Sequence, residues 1–452
     1  MKIRLSLFVF LSVALFFLSC SRQTFDIIIK HANIIDVHTG ELMKNKDIGI
    51  RGGQITTISR IPLRSTSDHT ITIEGRDKYV IPGLCDSHTH LAFLTITGGD
   101  TLKTELDDFI HRGVLYVRDV GGPINVMNSL KNRITSGELT GPEIFYTGPM
   151  FESSPLYWRE FNNVLADFTI ALDNKEDVDS LLLDLARKDA KLIKTFNNIK
   201  PELYPYIVEV AKQNHLKIVH DPGAPLFNWI PIDAAIEMGI TSIEHAKAPW
   251  PYVLKDKYRE KHDSLIGPDV GMGLQMNLMH QIAELGIASI SEKRLEDLSV
   301  IMIENESVLC PTLRIFKEGE EEEQANQAEG ELTDEQKTRI TITAGMKEVS
   351  DYFVQELSRY GVKMLVGQDG IDPLGTSEEM VLMKEAGVPD IEVLRGATIY
   401  AAEWLEVDDR YGSVEVGKFA DLVVLNINPL EDIAHVGDVF LVLQHGKIVK
   451  KR

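Results

Sequence analysis

Eight short apolar runs fill residues 82–405, and amphipathic stretches separate them. This alternation constrains the fold more than any other feature of the sequence. GVLYVRDV, LKIVHD and KMLVGQD are typical of buried strands, whereas KEDVDSLLLDLARKDA has helical periodicity. Parallel strands joined by helices are the expected structure, so we predict an α/β fold of the (β/α)8 barrel type. A doubly wound open sheet is the alternative, although no GxGxxG motif follows an early strand.

Both ends of the chain are rich in β-branched residues instead. FDIIIKHANIID and DIGIRGGQITTI near the start, and VFLVLQHGKIVKKR at the end, are typical of strands with glycine turns. Gly52-Gly53 is a hairpin signal. We therefore predict one small sheet domain built from residues 24–80 and 406–452, with the barrel spanning residues 81–405.

Charge limits the choice of partners. The 452 residues include 47 Lys and Arg against 68 Asp and Glu, a formal net charge of −21. A surface of this sign repels phosphate backbones, so we expect no nucleic-acid partner. The sequence leaves homo-oligomerisation open.

The first residues are typical of an export signal. Lys2 and Arg4 precede Leu5–Leu18, a run without charge that is shorter than the roughly 20 residues of a membrane span. Ser19-Cys20 resembles a bacterial lipobox, which predicts a signal peptide over residues 1–19 and a lipid on Cys20. The alternative is an ordinary cleaved signal. We expect a periplasmic or cell-envelope lipoprotein that touches the membrane only through this anchor.

An acidic segment interrupts the alternation at residues 317–338. Nine acidic residues lie between Glu318 and Glu335, which predicts a solvated insertion, either a plain surface loop or a lid over the site. Thr333 and Gln336 have the spacing of a capping box and predict the start of the next helix.

Histidines and an aspartate at strand ends carry the functional signal. Residues i and i+2 of a strand point the same way, so the imidazoles of His88 and His90 should aim at one point. Strand candidates end at His220, His245 and Asp369, and the ends of barrel strands converge on one mouth. Imidazole is the commonest metal ligand, so this joint pattern predicts a metal site.

Lys194 lies within the apolar run AKLIKTF. A buried lysine needs a partner or a neutral form. Two hypotheses follow, a structural salt bridge or a neutral amine that reacts with carbon dioxide to give a carbamate. Glu244 should face away from His245, and Arg314 is a candidate contact for a substrate carboxylate.

Several of these motifs resemble one family. VIPGLCDSHTHL is similar to the first barrel strand of the metal-dependent amidohydrolase superfamily. GVLYVRDVGGP, LIKTF, GITSIEHA and GSVEVGKFADLVVLNINPLEDI resemble its branch of imidazolonepropionase-related proteins and Xaa-Pro dipeptidases. The resemblance covers residue 25 to the C-terminus, and it implies a (β/α)8 barrel with a composite β-sandwich formed by both chain ends.

The resemblance also implies a set of metal ligands. His88, His90 and Asp369 would hold one zinc ion, His220 and His245 a second, and a carbamylated Lys194 would bridge the two. The chain departs from many relatives after His220, where Asp221 stands in place of alanine, and at Gln368, where relatives often have Thr or Ser.

The implied chemistry is hydrolysis by a metal-bound hydroxide, with Asp369 as the general base that becomes the general acid. We expect an exported amidohydrolase that cleaves an amide or peptide bond of a small molecule or short peptide, such as a dipeptide or N-acyl amino acid. A cyclic amidase of the imidazolone or lactam type is an alternative, as is a non-catalytic binding or scaffold protein on the same fold.

Overall fold

The structure is a computed structural model that describes residues 24–196, 198–222, 230–265, 272–317, 319 and 333–451. The predicted signal peptide over residues 1–19 and Cys20 lie outside the described residues, as does most of the acidic insertion. Among the described residues, no helix is both long enough and apolar enough to cross a membrane.

One eight-stranded sheet is built from the two ends of the chain. Its strands are β1 (Ile27–Ile35), β2 (Leu42–Arg51), β3 (Gln54–Ser59), β4 (Ile71–Glu74), β5 (Tyr79–Pro82), β15 (Leu422–Leu425), β16 (Val439–Gln444) and β17 (Lys447–Lys451). Their order in the sheet is β17-β16-β15-β5-β1-β2-β3, with β4 paired to β1. Gly52 and Gly53 have φ of 59° and 81° in the β2–β3 turn, where glycine avoids the strain of a Cβ.

Two parallel sheets occupy the middle of the chain and establish the predicted α/β class. Their strands are β6 (Leu84–Thr89), β7 (Val114–Asp119), β8 (Glu143–Tyr146), β9 (Met150–Glu152), β10 (Thr169–Ala171), β11 (Leu192–Phe196), β12 (Lys217–Asp221), β13 (Ser242–Glu244) and β14 (Val308–Cys310). The first sheet has the order β6-β7-β8 and the second the order β10-β9-β11-β12-β13-β14.

The predicted eighth strand, ending at Asp369, forms bridges rather than a continuous strand. Met364 pairs with Leu309 of β14, and Gly370 pairs with Thr89 of β6, both in parallel. The Asp369 amide also donates to the carbonyl of His88 at 2.8 Å. The segment therefore links the outer strands of the two parallel sheets and carries Asp369 to the end of β6.

Helices connect the strands, and their buried faces carry regularly spaced apolar residues such as Val178, Leu182 and Leu185. They are α1 (Gly99–His111), α2 (Ile124–Thr135), α3 (Lys175–Arg187), α4 (Tyr204–Gln213), α5 (Ile232–Glu237), α6 (Trp250–Val253), α7 (Asp256–Asp263), α8 (Met272–Leu285), α9 (Glu292–Glu304), α10 (Asp334–Tyr360), α11 (Gly375–Glu385), α12 (Asp390–Gly396) and α13 (Ile399–Trp404). Short 3-10 helices span Leu91–Ile96, Arg159–Asn163, Gly286–Ser289 and Ile433–Gly437.

The predicted capping box is confirmed at the start of α10. The Thr333 hydroxyl accepts from the Gln336 amide at 3.2 Å, and the Gln336 side chain accepts from the Thr333 amide at 2.8 Å. The two bonds satisfy backbone donors that the first helical turn leaves without partners.

Strand register decides which side chains face the site. Thr195 of β11 pairs with His220 of β12, which pairs with Ile243 of β13. Paired residues of parallel strands share a face, and the next residue along a strand takes the other face. Asp221 therefore lies on the face opposite to His220, together with Lys194 and Glu244.

Candidate metal centre

His88, His90 and Asp369 come together at the end of β6. The carboxylate Oδ1 of Asp369 lies 3.3 Å from His88 Nε2 and 3.1 Å from His90 Nε2. The two imidazole centroids are 5.4 Å apart. Asp369 has φ of 56°, so the chain turns sharply where it presents its carboxylate to the two rings.

The ring of His88 is held in place by a buried ion pair. Its Nδ1 lies 2.6 Å from Glu244 Oε2, and Glu244 in turn accepts from the Arg118 guanidinium at 2.9 Å. Arg118 also donates to Ser242 Oγ at 2.7 Å. We expected Glu244 to face away from the site, but it shares the face of Lys194 and orients His88 so that Nε2 faces Asp369.

His245 follows β13 and turns toward the same place. Its φ of 69° takes the chain out of the strand, and its Nδ1 lies 2.7 Å from Thr312 Oγ1. Its ring centroid is 5.2 Å from that of His88, and Nδ1 is 3.8 Å from Asp369 Oδ2.

Lys194 is buried and paired. Its side chain is 2% exposed, and Nζ lies 3.1 Å from Asp221 Oδ2. The same carboxylate oxygen lies 3.1 Å from His245 Nε2. The structural salt bridge, one of the two hypotheses for this lysine, is thus present, and its partner is a residue that the sequence analysis did not select.

His220 is not brought to this group. Its Nδ1 lies 3.1 Å from Thr195 Oγ1 and 2.9 Å from Tyr204 Oη, and its ring packs edge-on against Tyr204 of α4. His220 therefore sits on the helix side of β12, and its assignment as a ligand stays a prediction.

Burial and neighbouring charges set the protonation states. Burial alone would raise the pKa of Asp369, but the imidazoles of His88 and His90 hold it well below its ordinary value. Burial lowers the pKa of His88 and the charge of Asp369 raises it, and the net result is a raised pKa. Burial lowers the pKa of His90 and brings that of His220 to about 4. Asp369 is thus a carboxylate at neutral pH.

The site opens into a cavity of about 540 Å³. His90, Lys194, Asp221, His245 and Asp369 line its floor. Six aromatic side chains form one wall, namely Phe93, Tyr157, Trp158, Phe161, Phe168 and Phe196. Lys247 adds a cation to the lining, and burial lowers its pKa although the charges of Asp221 and Asp369 oppose that shift.

The sequence alone did not identify Asp221, Lys247 or any of the six aromatic residues of the wall as site residues. The alternation of side chains along LKIVHD was a usable signal for Asp221, because a strand that turns His220 outward turns Asp221 inward. Arg314, a candidate substrate contact, instead pairs with Asp372 at 2.8 Å and Glu378 at 2.9 Å. The charge of Arg314 is therefore already paired with two carboxylates of the protein.

The donor set fits a zinc ion. His88 Nε2 is buried and makes no hydrogen bond among the described residues, although it faces His90 and Asp369. One ligand atom from each of these three residues lies within 4.8 Å of the other two. Two imidazole nitrogens and a carboxylate oxygen are typical zinc ligands, and three protein ligands leave a coordination position open.

Residues 331–449 match the amidohydrolase family. A probable imidazolonepropionase of Nematostella vectensis is 24% identical over 414 residues, covering 83% of this chain and 82% of that protein. An adenine deaminase of Ruegeria sp. (strain TM1040) is 32% identical over 73 residues, but the match spans only 12% of its length.

Solved structures share the fold. A prolidase complexed with N-methylphosphonate-L-proline has a TM-score of 0.69 at 22% identity, covering 94% of this chain and 100% of its own. A Xaa-Pro dipeptidase with methionine bound in its active site has a TM-score of 0.69 at 21% identity, covering 93% and 99%. The ochratoxinase of A. niger has a TM-score of 0.71 at 19% identity, covering 94% and 96%.

Proposed function

We propose that the protein is a metal-dependent hydrolase that cleaves a carbon–nitrogen bond of a small substrate, because residues 331–449 match the amidohydrolase family. The observation that carries this proposal is the convergence of His88, His90 and Asp369, with the buried Nε2 of His88 left without a hydrogen bond among the described residues. A buried polar atom that makes no hydrogen bond is costly, and a cation would satisfy it.

His88, His90 and Asp369 would hold the first cation, with His245 beside them. A bound zinc ion lowers the pKa of a water molecule and polarises a carbonyl group. Asp369 accepts the water proton at Oδ2, the oxygen that does not contact the His88 and His90 rings, and returns it to the leaving nitrogen. In the balanced reaction the water oxygen bonds to the carbonyl carbon, the C–N bond breaks, and the nitrogen gains the proton.

The cavity lining supports an N-acyl amino acid or a dipeptide as substrate. Such molecules carry a carboxylate, and the Lys247 ammonium faces the cavity without a hydrogen bond or ion pair among the described residues. The aromatic wall would bury an apolar acyl group or side chain of the substrate. We therefore assign the carboxylate to Lys247 and the apolar group to the wall.

We also propose that the parallel sheets close into an eight-stranded barrel. The bridges of Met364 to Leu309 and of Gly370 to Thr89 support it, because they join the outer strands through the segment that carries Asp369. The sheet built from both chain ends would be one layer of the composite sandwich that the family resemblance implies.

A cyclic amide is the second candidate substrate. The similarity to a probable imidazolonepropionase runs over most of both chains, and ring opening of a lactam uses the same chemistry at the carbonyl carbon. A neutral lactam would have no charge to pair with Lys247. Substitution of this lysine therefore separates substrates that carry a carboxylate from neutral lactams.

The test is a hydrolysis screen of the zinc-loaded protein with N-acyl aromatic amino acids, dipeptides and lactams. We expect turnover of an N-acyl amino acid, a loss of at least a hundredfold in kcat for Asp369→Asn, and a raised KM for Lys247→Met with a smaller change in kcat. Turnover confined to lactams would favour the cyclic amidase. No turnover of any substrate by metal-loaded protein would favour a binding or scaffold protein.

We propose further that the protein is exported and held at a bacterial cell envelope by a lipid on Cys20. The charge-free run Leu5–Leu18 and the Ser19-Cys20 pair support this location. Expressed in bacteria, the protein should incorporate labelled palmitate, and Cys20→Ala should not. Incorporation that persists in Cys20→Ala would contradict the anchor.

A further inference from the structure

The cavity holds a carboxylate to which the comparisons assign no role. Asp221 ends β12 and is 4% exposed. Its partner across the ladder is Phe196 of β11, which also lines the cavity. Because paired residues share a face, the Asp221 carboxylate is directed into the cavity by the strand itself.

His220, the residue before Asp221, faces the other way. Its partner in the ladder is Thr195, and both side chains meet Tyr204 of α4 on the helix side of the sheet. Thr195 Oγ1 and Tyr204 Oη hold one ring nitrogen, whereas Nε2 is buried and makes no hydrogen bond to the part of the chain that the structure describes. For His220 to reach the cavity, the end of β12 would have to rotate and take Asp221 out of it.

The distances around Asp221 match those between ligands of one cation. Its Oδ2 lies 3.1 Å from His245 Nε2. Two ligand atoms about 2.0–2.1 Å from a tetrahedral zinc ion are about 3.3 Å apart. Lys194 Nζ lies 3.1 Å from the same oxygen, so the residue expected to carry a bridging carbamate is also in this group.

We propose that Asp221, and not His220, is the ligand that β12 supplies to a second cation, which His245 Nε2 and Asp221 Oδ2 bind beside the His88–His90–Asp369 site. This inference rests on the proposed function, because a second cation has a role only next to the first. With a carboxylate oxygen in place of an imidazole nitrogen, the ligands of the second cation are harder and more negatively charged than a set with two histidines.

The number of zinc ions bound shows whether Asp221 or His220 is the ligand that β12 supplies. The full-length protein is stripped with a chelator, reloaded with zinc in bicarbonate buffer, freed of excess metal and measured by plasma mass spectrometry. We expect two equivalents in the wild type and in His220→Asn, and about one equivalent in Asp221→Asn. Asp221→Glu keeps the carboxylate and should recover part of the second equivalent. Circular dichroism melting checks that each variant is folded.

Two results would overturn the inference. One is a second equivalent that survives in Asp221→Asn, which would make Asp221 only the counter-ion of Lys194. The other is a loss in His220→Asn as large as that in Asp221→Asn.

The zinc content of the wild type and of His90→Asn distinguishes failure of the second cation site from failure of the proposed function. A single wild-type equivalent that disappears in His90→Asn overturns the second site and leaves the proposed hydrolase intact. A wild-type protein that binds no metal overturns both. A single equivalent that survives in His90→Asn and disappears in Asp221→Asn would support Asp221 as a ligand and contradict the first site.

Discussion

At the scale of single residues, the site depends on buried charges that hold its ligands. Glu244 is buried between Arg118 and His88, and although burial opposes it, the Arg118 charge brings the pKa of Glu244 down to about 2. A carboxylate that stays charged at all working pH values keeps His88 Nδ1 engaged and Nε2 directed at the cation position.

Glu244→Gln should therefore weaken zinc binding by about 10–100-fold, the usual cost of losing a partner behind a metal ligand. The measurement is a calorimetric zinc titration of the stripped protein. Glu202→Gln is the matched control, since Glu202 is exposed. An unchanged affinity in Glu244→Gln would show that His88 keeps its orientation without this carboxylate.

A second buried carboxyl, Glu379, should make stability depend on pH. Burial raises its pKa to about 8, and its two oxygens accept the backbone amides of Leu313 and Arg314. Its folded pKa lies above the ordinary value of 4.5, so its contribution to stability is full below pH 4.5, falls as pH rises to 8, and is lost above.

Urea unfolding of the wild type and of Glu379→Gln across pH 5–9 tests this effect. The free energy of unfolding of the wild type, relative to the variant, should fall by at most about 1.4 kcal/mol per pH unit up to pH 8 and then level off. A difference that is flat across the whole range would mean that Glu379 is ionised in the folded protein.

At the scale of elements, hydrophobic periodicity and capping residues predicted strands and helices well, but not the direction of every side chain. The strand ending in His220-Asp221 was identified from its apolar run, and Thr333 correctly marked the start of α10. The face of β12 on which His220 lies depends on how β12 pairs with β11. The sequence of one strand does not reveal this pairing. Lys247 follows the end of its strand, where alternation no longer applies.

The capping box gives a prediction about α10. Thr333→Ala removes the acceptor for the Gln336 amide and should lower the free energy of unfolding by about 1 kcal/mol. Thr341→Ala, inside the same helix, should change it by less than about 0.5 kcal/mol, because alanine is the better helix former. Urea unfolding curves measure both, and equal effects would contradict a specific role for the cap.

At the scale of the whole molecule, the eight-stranded sheet built from the two chain ends packs closely against the parallel sheets around Gly113. This residue has φ of 88°, and a Cβ there would lie 2.6 Å from Val423 Cγ2 of β15. The β-rich texture of both chain ends predicted that they share a sheet. The close contact of that sheet with the parallel sheets could not be predicted, because it depends on packing between segments about 300 residues apart.

Gly113→Ala should therefore destabilise the protein by about 1–3 kcal/mol beyond the effect of Gly137→Ala. Gly137 is the matched control, since its φ of 77° imposes similar backbone strain while no atom of a described residue lies within 4 Å of an added Cβ. Thermal unfolding of the two variants measures the difference. Equal melting temperatures would show that the contact between the sheets is loose.

We propose above all that distant parts of the chain hold a cation between His88, His90 and Asp369. Anomalous diffraction at the zinc absorption edge, from crystals of the zinc-loaded protein, would locate this cation. We expect a strong anomalous peak within bonding distance of His88 Nε2, His90 Nε2 and the Asp369 carboxylate. Zinc peaks elsewhere with none at these three side chains would contradict it.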